Sequence, residues 1–147
     1  MRYFVLLTIL ISSVAANAAG DGYQAEIDSF FNLLKKGKIE ESVSSIYKTN
    51  PYMSSVSDQV LNIKNQLASL SGLVGEMNTL QKIDTYNVED AFVHVTYLAA
   101  YDRQPIRFEF QFFKVKEDWR IYAFSFDDNM DDEIEFLARK KALQSSN

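Results

Sequence analysis

Between residues 23 and 127 apolar positions change their spacing once, near residue 76. Before that point they recur every three or four residues, and after it every second residue. Tyr23, Ile27, Phe30, Phe31 and Leu34 predict a first helix that ends at Lys35-Lys36-Gly37, where cations suit the negative helix terminus and glycine suits a left-handed cap. Ile39, Val43, Ile46 and Tyr47 predict a short second helix, stopped by Asn50-Pro51. Val56, Val60, Ile63, Leu67 and Leu70 predict a third, with Ser54, Ser55 or Ser57 as its cap and Gly72 and Gly75 past its end.

Period two then predicts strands at about 77–87, 91–101, 106–116 and 119–127. Residues 129–144 return to helix, with Asp131, Asp132, Glu133 and Glu135 first and Arg139, Lys140 and Lys141 last, the order that the helix dipole favours. Helices first and strands afterwards specify an α+β domain: three N-terminal helices packed on a curved antiparallel sheet of about four strands, plus a C-terminal helix.

A turn at Glu117-Asp118 and another centred on Arg103-Gln104 sort the strand residues into two faces. One face, with Val93, Val95, Tyr97, Ala99, Tyr101, Ile106, Phe108, Phe110, Phe112, Trp119 and Ile121 and with Lys114 and Lys116 at its end, is almost wholly apolar and meets the helices. The other mixes Phe92, His94, Thr96, Leu98, Arg107, Glu109, Gln111, Phe113, Tyr122, Phe124 and Phe126. Aromatics with Arg and polar groups characterise protein interfaces, and a same-patch twofold contact is the commonest way to cover such a face. His94, Arg107, Glu109, Gln111, Phe113, Tyr122, Phe124 and Phe126 are therefore the expected homodimer contact, with another partner or the C-terminal helix as the competing covers.

Composition narrows the function classes. The opening MRYFVLLTILISSVAANAAG has one cation, an apolar run too short to span a bilayer and an Ala16-Asn17-Ala18 cleavage triplet, which together predict a signal peptide over residues 1–18. The expectation is a periplasmic or secreted protein with no stable membrane anchor after cleavage, made of a domain at 19–128 and a terminal helix at 129–147. Losing Arg2 leaves 14 cationic against 20 anionic side chains, a poor surface for nucleic acid. Cysteine is absent, which removes disulfides, thiol catalysis and cysteine-held metal.

The helix pair joined at LLKKGKIEESVSSIY, the longer third helix and the aromatic sheet ending in DWRIYAFSFDD resemble the nuclear-transport-factor-2-like superfamily, which includes ketosteroid isomerases and polyketide cyclases. The resemblance covers about residues 23–128. It implies a cone-like sheet around an apolar cavity, often with sheet-mediated dimers. A small apolar ligand would then be lined by Tyr97, Tyr101, Phe108, Phe110, Trp119 and Ile121, with Phe30, Phe31 and Leu34 opposite; alternatively these side chains fill the space themselves.

Chemistry is sparse. The isomerase relatives use an aspartate base with a tyrosine and a protonated aspartate. Here the inner face from 93 to 121 holds tyrosines and no Asp, Glu or His, and only Asp84 on the first strand remains as an inward acid. His94 is the one histidine, too few for a histidine metal site. Asp127, Asn129, Asp131 and Glu133 alternate as calcium ligands do, yet Asp132 and Ala138 stand where an EF-hand loop needs glycine and glutamate. The sequence thus points to a non-catalytic binding or interaction module without cofactor or metal. An isomerase- or cyclase-type enzyme and a structural subunit of an envelope assembly are the alternatives.

Overall fold

A computed structural model describes residues 22–145; the signal peptide expected at 1–18 lies outside them. Four helices flank one antiparallel sheet: α1 (Gly22–Lys35), α2 (Ile39–Tyr47), a 3-10 helix (Pro51–Val56), α3 (Ser57–Val74), β1 (Met77–Val88), β2 (Phe92–Tyr101), β3 (Pro105–Val115), β4 (Asp118–Asp127) and α4 (Asp131–Gln144). The strands lie side by side in chain order, as short hairpin connections dictate. This is the expected α+β arrangement, and the sheet is curved and open. No helix among the described residues is long and apolar enough to cross a membrane.

The third helix departs from expectation at both ends. Pro51 starts a 3-10 turn, so α3 begins only at Ser57, and no serine side chain caps it. At the far end Gly72 stays helical, and Gly75, at φ +85°, makes the break. A Cβ there would stand 2.5 Å from the Asp102 carboxylate, which accepts hydrogen bonds from Glu76 N and Asn78 Nδ2, both at 2.8 Å. Glycine is thus required by both conformation and space.

Between the sheet and α1–α2 the core is aromatic. Phe30 meets the rings of Phe108, Phe110 and Phe124, and Phe31 meets those of Tyr97, Phe108 and Phe110, mostly edge to face. Phe30, Phe108, Phe110 and Ile121 have no solvent exposure. The apolar face therefore fills its own interior rather than lining a cavity.

One edge of the sheet is closed by a loop. Thr49 Oγ1 accepts from Ile121 N at 2.9 Å, and Asn50 Nδ2 donates to Ile121 O at 2.9 Å, so two side chains take the place of a fifth strand at that residue. Asn50 also accepts from Tyr52 N at 3.1 Å, which caps the 3-10 helix. Asn50→Ala leaves the buried carbonyl without its partner and is expected to cost about 1–3 kcal/mol in urea melts. Wild-type stability in that variant contradicts this role of the loop.

Candidate functional site

The strand register decides which side chains share the outer face. From β2 to β3 the pairs are Phe92 with Phe113, His94 with Gln111, Thr96 with Glu109 and Leu98 with Arg107, all on that face. From β3 to β4, Lys114 opposes Trp119 and Phe112 opposes Ile121, so the hairpin turns at Lys116-Glu117, with Lys116 at φ 57°. The turn is one residue earlier than expected, a change that preserves the faces.

A β-bulge then alters them. Phe112 pairs with Ile121, but Gln111 pairs with Ala123, leaving Tyr122 as the extra residue on β4. From Ala123 onward the faces exchange. Phe124 and Phe126, expected at the interface, point instead to the helix side. Phe124 is 7% exposed and packs on Phe30 and Phe110, and Phe126 is part-buried against Phe108 and Phe124. Ser125 takes the outer position and donates to Glu109 at 3.3 Å.

The middle of the outer face is a polar chain. Gln111 Nε2 lies 3.0 Å from His94 Nδ1, and His94 Nε2 lies 3.2 Å from Glu109 Oε1 and 3.1 Å from Thr96 Oγ1. Because the amide donates to Nδ1, the ring proton of the neutral imidazole sits on Nε2. Carboxylate and hydroxyl therefore share one nitrogen. A proton relay needs them on opposite nitrogens, so the arrangement is not a catalytic triad.

Arg107 ends that chain. Its guanidinium grips Asp127 through Nη2 at 2.9 Å and Glu133 through Nη1 at 2.5 Å, joining β3, β4 and α4. Hydrogen bonding to Asp127 is the main reason that its pKa is raised further. Asp127 and Glu133 are thus spent on an arginine. Among the described residues no cluster of three or more acidic or histidine side chains is disposed to hold a metal ion. Asp84 does not point inward: it is exposed, and its carboxylate accepts from Thr85 N at 2.8 Å.

The two ends of the outer face differ. At one end α4 begins, with Met130 buried and a cleft of about 280 Å³ where Met130 and Ile134 approach Leu98 and Pro105. At the other end no element among the described residues covers the sheet. Phe92 and Phe113 flank Tyr122 there, with ring centroids 5.9 Å and 6.5 Å away. β1 adds Tyr86 opposite His94 and Val88 opposite Phe92. Tyr86 is 66% exposed and Tyr122 62%, so the four strands together present an open apolar patch. The sequence reading missed Tyr86 and Val88 because the β1–β2 register was not extended. The Asn87–Asp90 turn carried the signal: the tight turn through Glu89 (φ 49°) sets Val88 opposite Phe92.

The residues expected to line a ligand cavity are dispersed. Tyr97 joins the core, and its hydroxyl accepts from Gln24 at 2.8 Å. Leu34, at the edge of that core, and Tyr101, packed against it, line a rim groove of about 390 Å³ beside Gly75 and Met77. Burial raises the Tyr101 hydroxyl to about 12. Trp119 packs edge-on against Tyr23 and lines a separate groove of about 550 Å³ with Gly22 and Lys48.

No known family profile matches the sequence, and no curated protein does. Solved structures do match. A Campylobacter jejuni protein described as a candidate NTF2-like transpeptidase is 15% identical, over 67% of this chain and 95% of its own, with a TM-score of 0.50. A Ralstonia solanacearum phospholipid-binding protein, solved with a phospholipid, is 13% identical over 73% and 76% of the two chains, with a TM-score of 0.44. Element order, strand order and the first of these superpositions identify the chain as a protein with the nuclear-transport-factor-2-like fold.

Proposed function

We propose that the protein is a non-catalytic, exported binding module that works as a homodimer and takes a small apolar ligand in a surface groove. The observation that carries the dimer is the open patch of Tyr86, Val88, Phe92, Phe113 and Tyr122. These side chains lie on a rigid sheet, span all four strands and carry no charge. A contiguous apolar surface on a regular face is costly to leave in water. A second copy fits it best, because the five apolar side chains cover one another in a same-patch twofold contact, with Arg120, opposite Phe113, at its margin.

The inner sheet face supports the non-catalytic half of the reading. Its residues from 93 to 121 include no Asp, Glu or His, and the histidine of the outer face has both nitrogens engaged. The surface grooves, rather than the filled interior, are the places left for a ligand.

Tyr122→Glu tests the dimer. The residue is the extra one of the bulge and is exposed, so the charge leaves the fold intact while placing two carboxylates at the twofold contact. Light scattering is expected to give a dimer for the wild type and a folded monomer for the variant. A variant that stays dimeric removes the patch from the interface.

A further inference from the structure

A groove on the opposite side of the molecule lies between α2, the 3-10 helix and α3. Its volume is about 390 Å³. That is at the small end of the roughly 300–1,000 Å³ typical of small-molecule sites. Tyr47, Pro51, Met53, Val60 and Leu61 supply apolar walls, and Lys48 and Lys64 line it as well.

The charge in this groove is one-sided. No acidic residue lines it, although the protein as a whole carries a net charge of −5. Neither Lys48 nor Lys64 has an ion pair or side-chain hydrogen bond among the described residues. Some cations elsewhere are matched, as where Arg107 holds two acids, Lys38 pairs with Glu41 and Arg139 pairs with Glu135, but among the described residues only in this groove do two unpaired ones share an apolar wall with no acid beside it. Two free ammonium groups beside an apolar groove in an acidic protein select for an anion with an apolar body.

A third group agrees. The Tyr47 hydroxyl makes no hydrogen bond among the described residues and is held neutral by burial, its pKa pushed up to about 12. A neutral phenol that stays protonated is a donor to an anion at any physiological pH. Donor and cations together make charge-assisted hydrogen bonds available to a carboxylate.

We propose that this groove binds a free medium-chain fatty carboxylate, its chain along Tyr47, Met53, Val60 and Leu61 and its head group against Lys48 and Lys64. The inference deepens the ligand-binding half of the proposed function and is independent of the dimer. It assigns the ligand to the helix side, away from both sheet faces. Decanoate is the probe, and decanol, with the same chain and no charge, is its control.

The test is an NMR titration of the isotope-labelled protein with each compound, below the concentration at which either self-associates. Decanoate is expected to shift backbone signals of residues 44–64 and to bind at least about tenfold more tightly than decanol. Lys48→Gln with Lys64→Gln should remove that difference and leave decanol binding unchanged. Tyr47→Phe, which keeps the wall and removes the donor, should weaken decanoate severalfold. Equal affinity for the two compounds within the groove overturns the anion selectivity and leaves a purely apolar site. Shifts confined to the Leu34–Tyr101 groove or the sheet patch overturn the location. No binding of either compound overturns the fatty-carboxylate assignment, and retained ligand of another class in native mass spectrometry would then separate its failure from that of ligand binding in general.

Discussion

Phe124→Glu unfolds the domain. The side chain is 7% exposed and enclosed by Phe30, Phe108, Phe110 and Phe126, with ring centroids between 5.1 and 6.3 Å. Removing a buried phenylalanine costs about 3–5 kcal/mol. A carboxylate in its place finds no donor among four rings and must be buried without hydrogen bonds or take up a proton, which adds several kcal/mol. The sum is comparable with the roughly 5–15 kcal/mol that holds a domain folded. Circular dichroism and a urea melt are expected to show no cooperative transition. A folded monomer would restore Phe124 to the outer face and remove the bulge at Tyr122.

Phe110→Ala lowers stability by about 3–5 kcal/mol. Phe110 is the centre of the core: it has no solvent exposure and meets Phe30, Phe31, Tyr97 and Phe124. The surrounding rings are fixed by the sheet on one side and α1 on the other, so collapse into the vacated space is limited. Urea melts of the two proteins measure the difference. A loss below about 1 kcal/mol would mean that the site relaxes freely, contrary to a close-packed interior.

These two residues also show how far the sequence could be read. Period two identifies the strands and a turn residue sets each hairpin, so Phe110 falls on the core face whether the last turn is at Glu117-Asp118 or at Lys116-Glu117. Phe124 does not, because a bulge shifts the faces by one and nothing in the local pattern announces it. Tyr122-Ala123-Phe124 reads as uninterrupted alternation. Only the packing of Phe124 and Phe126 into the space beside Phe108 decides the slip.

The helices were legible where breakers bounded them, as at Gly37 and Pro51, and less so where a 3-10 turn replaced the expected cap. The loop that closes the sheet edge was not legible at all. Thr49 and Asn50 read as a helix stop, and their hydrogen bonds to Ile121 depend on a residue about seventy positions away. The mixed outer face was anticipated in its middle strands. Its polar centre, however, is engaged largely within the chain: Arg107 holds Asp127 and Glu133, and His94 holds Glu109. What remains open is the aromatic end, where Tyr86 and Val88 of β1 complete the patch.

If two copies meet at this open end, hydroxyl-radical footprinting across a concentration series will register the contact at its tyrosines. Tyr122 and Tyr86 report on the patch, while Tyr52, 73% exposed on the 3-10 helix, reports on the helix side. Tyr122 and Tyr86 are expected to lose reactivity together as the protein concentration rises through the dimerisation range while Tyr52 keeps its own. Undiminished reactivity of Tyr122 at concentrations where the protein is dimeric, or a protein that stays monomeric throughout, would contradict a contact there.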